Sequence, residues 1–444
     1  MTNASNEEEI MNEFSTPVGA GAQRNEDKRE LFTPEMLEYY SHMRIDSADA
    51  PPPKSFRVGL LTINLNTVGR IVNAIANPAS PCVVSALATL DPVDPSAVRD
   101  WVRSHKIGPE DREIVVESGE EGFRKIMAGS DVDAIYFSLP LERRNDFVTT
   151  ALESGKHVLV HYPVSSSLPG FVSLFDKAHE CGRHLQDSTT FIHHHRVTEF
   201  LGRVLGDQDS FPRIKRITAN LNVRMSFLDT NVWKCNPDWP TQGCISTLAR
   251  FCVMFGMLIF NRIEYKPKSA QVMKMKIDSS GLPIEATCVI TFDPDCTLVI
   301  HCSYINTISV RQHVEVEAAT RSASMINFVF PHHSLASYLL YEKTGKIITR
   351  GYSIDLAGGP PQDVMLWRSF AALSLATEVA DAERGLGKEH VQCNMDECAV
   401  RESKELAQIE MQSFNIVLAL MESLEQGCKE VALGPIEFER AWGR

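Results

Sequence analysis

Short apolar runs alternate with amphipathic segments between residues 56 and 160. The apolar runs predict strands over Phe56–Ile63, Cys82–Thr89, Glu113–Val116, Ala134–Ser138 and Lys156–Val160. The amphipathic segments predict helices over Val68–Ala76, Pro95–His105, Glu120–Ala128 and Asn145–Glu153. Strands and helices that alternate at this spacing are typical of a parallel, doubly wound α/β sheet.

The pattern changes after about residue 186. Strand-like runs follow one another with short connections, at 214–224, 287–293, 296–305, 310–319 and 323–330. The connection Asp293–Asp295 contains a proline and is typical of a hairpin turn. Two segments near 362–384 and 400–427 carry apolar residues at helical spacing. The second half therefore predicts an α+β domain with a mainly antiparallel open sheet.

Residues 1–55 are polar and acidic, and they end shortly after the prolines at 51–53. This composition predicts a disordered acidic arm, because too few apolar residues are present to offset the entropy lost on ordering. We therefore divide the chain into an arm over 1–55, a nucleotide-binding-like domain over 56–185 and a sheet domain over 186–444.

Composition narrows the classes of partner and compartment. The net charge of −13 argues against nucleic acid or an acidic membrane surface as a general partner. No apolar run reaches the roughly 18 residues that a membrane span needs, and the acidic start resembles neither a secretory signal nor a mitochondrial transit peptide. The eleven cysteines have irregular spacing, which is typical of reduced core thiols. We expect a cytoplasmic protein.

Several separated segments of this chain resemble the glucose–fructose oxidoreductase/inositol dehydrogenase (Gfo/Idh/MocA) family. The matching segments, in chain order, are Asp131–Pro140, Ala151–Pro163, Asp187–His193 with Arg196, Ile214–Ile217, Phe227–Leu228, Gly243 and Thr297–Tyr304. The branch that is most similar contains dihydrodiol dehydrogenases and NADP-linked xylose dehydrogenases. The resemblance implies a Rossmann domain followed by an open sheet, with NAD or NADP and a small substrate meeting in the cleft between them.

The phosphate-binding loop departs from the dinucleotide pattern. That pattern needs glycines so that backbone N–H groups can approach the pyrophosphate, but none occupies the three expected positions after the first strand. Thr62, Asn64, Asn66 and Thr67 are the candidate contacts that remain, and asparagine tolerates left-handed geometry. The alternative is an ordinary strand-to-helix turn that no longer binds a dinucleotide, so cofactor binding is expected to be weak or lost.

Other candidate cofactor contacts lie at the ends of the later strands. Asp91 follows the second strand, where a carboxylate commonly accepts a hydrogen bond from a ribose hydroxyl. It could equally be a turn-forming residue beside Pro92. The resemblance also places Ser138, Pro140 and Pro163 beside the cofactor.

The catalytic signature of the family is altered. The family has Glu-Lys-Pro, whereas this chain has His161, Tyr162 and Pro163. Biliverdin reductases of the same family are similar in having Tyr before Pro, and a phenol can donate a proton. Tyr162 is therefore the best candidate proton donor. His161 is a weaker candidate that could titrate near neutral pH.

The substrate-binding helix of the family has also lost its acid and base. Its Asp and His/Tyr positions hold Thr247 and Phe251, while Arg250 could face an acidic substrate group or form a salt bridge. His193 and Arg196 match polar positions of the related branch. Arg144, which follows Arg143, is the candidate contact for an anion, although the two arginines could equally be the solvated start of a helix. The run from His193 to His195 has no accompanying ligands at metal spacing, so no metal site is predicted.

Two functions agree with these departures. The first is an NAD(P)-dependent oxidoreductase-like protein that transfers hydride to or from a small substrate, and reduction of a conjugated acceptor fits better than dehydrogenation of a sugar. The second is a catalytically inactive protein that keeps the fold as a scaffold. In either case the open sheet predicts a homodimer or a higher homo-oligomer.

Overall fold

The fold is taken from a computed structural model. It describes residues 55–65, 68–109, 113–205, 213–223, 243–279, 281–305, 311–331, 337–342, 344, 347–352, 361–385, 394–434 and 436. The predicted arm over 1–55 lies almost wholly outside these residues and stays a prediction.

A six-stranded parallel sheet occupies the first half of the described chain. Its strands are β1 (Phe56–Thr62), β2 (Cys82–Thr89), β3 (Val115–Ser118), β4 (Ala134–Ser138), β5 (His157–Val160) and β6 (Leu185–Asp187). They lie in the order β3-β2-β1-β4-β5-β6, and all of the strand pairs are parallel. Helices cover both faces, which is why the central strands are continuous apolar runs. The predicted doubly wound sheet is confirmed.

The helices of this half connect successive strands. They are α1 (Gly69–Asn73), α2 (Pro95–Ser104), α3 (Gly119–Ala128), α4 (Leu141–Glu153), α5 (Leu168–Glu180) and α6 (His195–Leu205). Local sequence explains where they begin. The side chain of Asp94 accepts a hydrogen bond from the N–H of Ser96 at the start of α2, and Ser167 likewise caps α5.

A nine-stranded sheet occupies the second half. Its strands are β7 (Ile214–Asn222), β8 (Lys266–Ile277), β9 (Pro283–Asp293), β10 (Cys296–Ser303), β11 (Arg311–Ala318), β12 (Arg321–Ile326), β13 (Ser337–Glu342), β14 (Ile347–Tyr352) and β15 (Val431–Ala432). The order is β14-β13-β12-β11-β7-β10-β9-β8-β15. The pairs are antiparallel except for β7 with β10, which is parallel. The mainly antiparallel sheet is therefore confirmed. The parallel pairing of β7 with β10 was not predicted, because short connections between consecutive strands indicate only antiparallel hairpins.

One face of the second sheet carries the core. Ala286, Cys288 and Ile290 of β9 are fully buried, whereas the alternating residues Thr287 and Val289 are only partly buried. The core face packs against α7 (Arg250–Phe260) and α9 (Asn394–Glu425). The opposite face mixes threonine, valine and histidine, so it is less apolar than the core face.

The last two long helices join both sheets. Helix α8 (Gln362–Gly385) returns to the parallel sheet, where Trp367 is fully buried. The indole N–H of Trp367 donates to the backbone oxygen of Ile71 over 2.8 Å, and its ring meets that of Tyr136 edge-on. Phe414 of α9 stacks on Phe171 of α5. These contacts join residues on the two sides of the predicted domain boundary near residue 185. The boundary itself stays a prediction.

None of the helices in the described residues combines the length and apolar character that crossing a bilayer requires.

Replacing Trp367 with alanine should destabilise the fold by about 3–5 kcal/mol, because the change opens a large cavity and removes the hydrogen bond from the indole to Ile71. Urea unfolding followed by circular dichroism measures the effect. Leu375→Ala is the control, since Leu375 lies on the same helix but is 52% exposed. Equal stability of the two variants would contradict the anchoring role of Trp367.

Candidate functional site

The carboxyl ends of β1 and β4 are joined through Thr62. This side chain is fully buried, and its hydroxyl lies 3.1 Å from the backbone oxygen of Asn64 and 3.4 Å from that of Ser138. Thr62 therefore fixes the start of the loop in which the pyrophosphate of a dinucleotide would lie. Asn66 and Thr67, the other two candidates in this loop, lie outside the described residues.

Asn64 and Asp91 come together at the neighbouring strand end. The Asn64 amide donates to Asp91 Oδ2 over 3.4 Å, and the Asp91 N–H donates to the backbone oxygen of Ile63 over 3.0 Å. Asp91 is exposed, so its carboxylate can accept a hydrogen bond from a ribose hydroxyl. This end of the crevice fits the adenosine side of a nicotinamide dinucleotide.

The loop before α1 is a poorer fit for the pyrophosphate. Ile63, Asn64 and Leu65 stand in it with partly buried side chains, and Leu65 packs on the core beneath. Side chains therefore occupy the described part of a loop in which a close backbone approach needs glycine. Further along, Ser138 is buried at the end of β4 and Pro140 precedes the first residue of α4.

Arg144 does not have the anion-binding role that the sequence predicted for it. Its guanidinium is 1% exposed and donates to three backbone oxygens, those of Leu139, His161 and Pro163. Burial lowers its pKa to about 9. The side chain therefore ties the loops after β4 and β5 together. Its prediction as an anion contact is corrected, because two of its three nitrogens already bind carbonyls inside the protein.

His161 is enclosed beneath the same loops. Its Nδ1 lies 3.4 Å from the Tyr136 hydroxyl. Burial, together with the positive charges of Arg144 and Arg250, lowers the pKa of His161 to about 3. The ring is neutral at physiological pH, so its expected titration near neutrality is corrected.

Tyr162 and Arg250 face each other where the two sheets meet. The Arg250 guanidinium lies 3.8 Å from the centre of the Tyr162 ring and 4.1 Å from that of Phe251. A cation between two aromatic rings is held by their π-faces. Burial raises the pKa of Tyr162, so the phenol keeps its proton. All three side chains are only partly buried.

A π-helical turn, Ile245–Ala249, carries the residue that stands in place of the family aspartate. The Thr247 hydroxyl donates to the backbone oxygen of Gly243 over 2.7 Å and is hydrogen-bonded to the Tyr304 hydroxyl. Gly243 has a φ of +61°, and a Cβ there would lie 1.9 Å from the backbone oxygen of Pro283. Only glycine fits where the backbone passes this close to Pro283, so Gly243 fixes where the π-helical turn begins.

His193 and Arg196 each have hydrogen-bond partners within the protein. The Gln186 amide donates to His193 Nε2 over 3.0 Å, and burial lowers the pKa of His193 to about 3. Arg196 is fully buried and donates to the backbone oxygens of Ile326 and Asn327 over 2.9 and 2.6 Å. Its prediction as a substrate contact is corrected, because the guanidinium holds the end of β12.

Sequence reasoning missed three members of the site. Tyr304 lies beside Thr247, and the carboxyl groups of Asp187 and Glu410 are buried near Tyr162 and Arg250. Asp187 stood within a segment quoted for the resemblance, but no role was attached to it. Glu410 had no signal beyond being an acidic residue amid the apolar positions of α9.

Comparisons with known proteins agree with this architecture. The chain is 37% identical over 95 residues to a dTDP-3,4-didehydro-2,6-dideoxy-alpha-D-glucose 3-reductase of Actinomadura kijaniata, a match that spans 20% of this chain and 29% of the relative. It is 22% identical over 293 residues to D-xylose 1-dehydrogenase (NADP(+)) 2 of Haloferax volcanii, which covers 65% of this chain and 82% of that protein. No model of a protein family matches the chain.

Solved structures extend the comparison to the whole fold. An inositol dehydrogenase homologue from Azotobacter vinelandii, complexed with NAD+, superposes with a TM-score of 0.65 at 14% identity, over 88% of this chain and 100% of that one. The homologues and the structural neighbours are oxidoreductases of the Gfo/Idh/MocA type. The resemblance and the two-sheet fold predicted from the sequence are therefore confirmed.

Replacing Arg144 with methionine should destabilise the protein by at least about 3 kcal/mol, because three buried carbonyls lose their donors. Arg143→Met is the matched control. Arg143 is the neighbouring residue, and its partly exposed guanidinium pairs with Glu120, so the control should cost no more than about 1 kcal/mol. Chemical denaturation of both variants tests this. An Arg144→Met variant as stable as the control would show that the carbonyls find other donors.

Proposed function

We propose that this chain, whose homologues and structural neighbours are oxidoreductases of the Gfo/Idh/MocA type, is an NAD(P)-dependent reductase-like protein that acts on a small anionic acceptor. The observation that carries the proposal is the pairing of Tyr162 with Arg250 at the meeting of the two sheets. A neutral phenol supplies a proton, and a partly accessible guanidinium stabilises negative charge that develops on the acceptor.

The cofactor would lie along the carboxyl ends of the parallel strands. Asp91 and Asn64 fit the adenosine ribose, while Ser138, Pro140 and Pro163 border the nicotinamide end. When bound, the nicotinamide supplies hydride. The side chains at 63–65 weaken this site, because backbone N–H contacts to phosphate are charge-assisted and are worth roughly 1.5–3 kcal/mol each.

The chemistry of the residues favours reduction over dehydrogenation. Oxidation of a sugar or diol needs a base at the reacting hydroxyl, and Thr247 and Phe251 cannot serve as one. Reduction of a conjugated acceptor needs a proton donor and a cation, which Tyr162 and Arg250 provide. Arg250 therefore takes the anion-binding role that the sequence suggested for Arg144.

The side chains in the phosphate loop also favour a second candidate, a scaffold that retains the fold without catalysis. For either function we propose a homo-oligomer formed through the outer face of the nine-stranded sheet, on which Val289 and Val299 lie among polar neighbours. A cytoplasmic location is supported by the eight cysteines whose side chains the structure describes, since all eight are free thiols.

The proposal is tested by nicotinamide fluorescence titration, followed by turnover with a bilin, other conjugated carboxylic acids and a sugar panel. We expect weak cofactor binding, measurable reduction of an anionic conjugated acceptor and no appreciable sugar oxidation. Tyr162→Phe should lower kcat by about 10²–10⁴ with little change in cofactor affinity. The control is Tyr265→Phe, since Tyr265 stacks on Phe260 in the core of the second sheet. Cofactor binding without turnover would favour the scaffold, and robust sugar oxidation would contradict the proposal.

Asp91 should make the site prefer NADH over NADPH. A 2′-phosphate at the end of β2 would meet its carboxylate, and repulsion of about 1 kcal/mol at an exposed site corresponds to roughly fivefold in affinity. Asp91→Asn should narrow the preference by weakening this repulsion. The control is Asp100→Asn, which removes an exposed charge that pairs with Arg103 on α2. A wild-type preference for NADPH would contradict this assignment.

A further inference from the structure

Two carboxyl groups lie buried behind the tyrosine of the site. Asp187 ends β6 and Glu410 lies on α9, and each residue is 2% exposed. The N–H of Asp187 donates to Glu410 Oε1 over 3.4 Å. Acidic residues are almost never this deeply buried unless a partner or a function requires it.

The backbone places this pair next to Tyr162. Asp187 is in register with Val160 of β5, and the N–H of Ser188 donates to the backbone oxygen of Val160 over 2.9 Å. Tyr162 follows Val160 by two residues, so the pair and the phenol belong to neighbouring strand ends. Each of the two carboxyl groups, when ionised, raises the pKa of the Tyr162 phenol, so both lie within electrostatic range of it.

The two carboxyls have unequal surroundings. Burial raises the pKa of Asp187, whereas the N–H of Thr189, which donates to Asp187 Oδ1 over 2.7 Å, and the positive charge of Arg250 both favour its ionised form. Glu410 Oε2 has no hydrogen-bond partner among the described residues. Burial and the charge of Asp187 both raise the pKa of Glu410 well above its ordinary value. Two charges this close in the interior cannot both persist, so a proton belongs to the pair.

We propose that Asp187 and Glu410 hold one proton between them and act as the store from which Tyr162 is reprotonated after each turnover. This inference rests on the proposed reductase function. The proton resides mainly on Glu410, and Asp187 remains the counter-charge to Arg250.

The proton balance is simple. As the acceptor gains hydride with its two electrons, the O–H bond of Tyr162 breaks and its proton passes to the acceptor. The resulting phenolate takes a proton from the pair, breaking the O–H bond of Glu410. The pair then regains one proton from water. The charged and titratable groups that face Glu410 are Asp187 from β6 and Tyr162 from the loop after β5, with Arg250 of α7 acting through both.

Infrared difference spectroscopy of the full chain detects the shared proton directly. At neutral pH the wild type should show the carbonyl stretch of a protonated carboxyl that Glu410→Gln removes. In Asp187→Asn this band should shift, because the proton is no longer shared. The control is Glu402→Gln, since Glu402 lies on the same helix and burial raises its pKa to about 8. That variant should lose only its own band. A Glu410 band that is absent, or that does not respond to Asp187→Asn, would overturn the proposal.

Stability against pH gives a second readout. Folding raises the pKa of Glu410 above 4.5, so this group stabilises the fold below that pH and the contribution is lost as pH rises through the folded pKa. The free energy of unfolding of the wild type, measured relative to Glu410→Gln, should therefore fall as pH rises above 4.5. If the difference is constant, Glu410 is ionised in the folded state and the store does not exist.

Turnover separates this proposal from the proposed function. The substrate is an acceptor found among the bilin and the other conjugated carboxylic acids. With it, Glu410→Gln should slow steady-state turnover and shift the pH profile of that turnover. The rate of the first hydride transfer in a single turnover should be unchanged. Glu402→Gln should leave both rates as in the wild type. Turnover that Glu410→Gln does not alter would overturn the relay. If no acceptor is reduced at all, the proposed function fails, whereas the infrared bands still decide whether the pair shares a proton.

Discussion

The site depends on one buried guanidinium. Arg144 binds the backbone oxygens of Leu139, His161 and Pro163, which lie in the two loops that follow β4 and β5. Buried carbonyls need donors, and a planar guanidinium supplies several in a fixed arrangement. The direction in which Tyr162 leaves β5 is therefore set by a side chain on α4 that is inaccessible to any acceptor. Chemistry at Tyr162 is built on this support.

Burial keeps the two titratable side chains that follow β5 uncharged. The ring of His161 is neutral, Tyr162 keeps its proton, and Arg250 stays positively charged between two aromatic rings. The family chemistry relies on a lysine where this chain has Tyr162 and on an aspartate where it has Thr247. What remains is a proton donor beside a cation, with a carboxyl pair behind it. That arrangement suits addition of a proton to an acceptor better than removal of one from an alcohol.

The sequence predicted the parallel sheet well because its strands are continuous apolar runs separated by amphipathic helices. It predicted the hairpin of β9 and β10 from the turn at 293–295, but β7 with β10 pairs across more than seventy residues and leaves no local signal. Arg144 and Arg196 were assigned to ligands, since a sequence does not distinguish a guanidinium that binds carbonyls from one that binds an anion. Glu410 was missed because its neighbours in space are remote in the chain.

The position of β7 has a consequence for biosynthesis. This strand lies between β10 and β11, so the hydrogen bonds on both of its edges are made by residues translated much later. While the ribosome produces the intervening segment, β7 has no strand on either edge, and the apolar residues on its inner face have no cover from the rest of the sheet. The parallel sheet can close as soon as β6 has emerged, whereas the larger sheet cannot. The nascent chain therefore passes through a half-folded stage, in which the second half needs shielding from other chains.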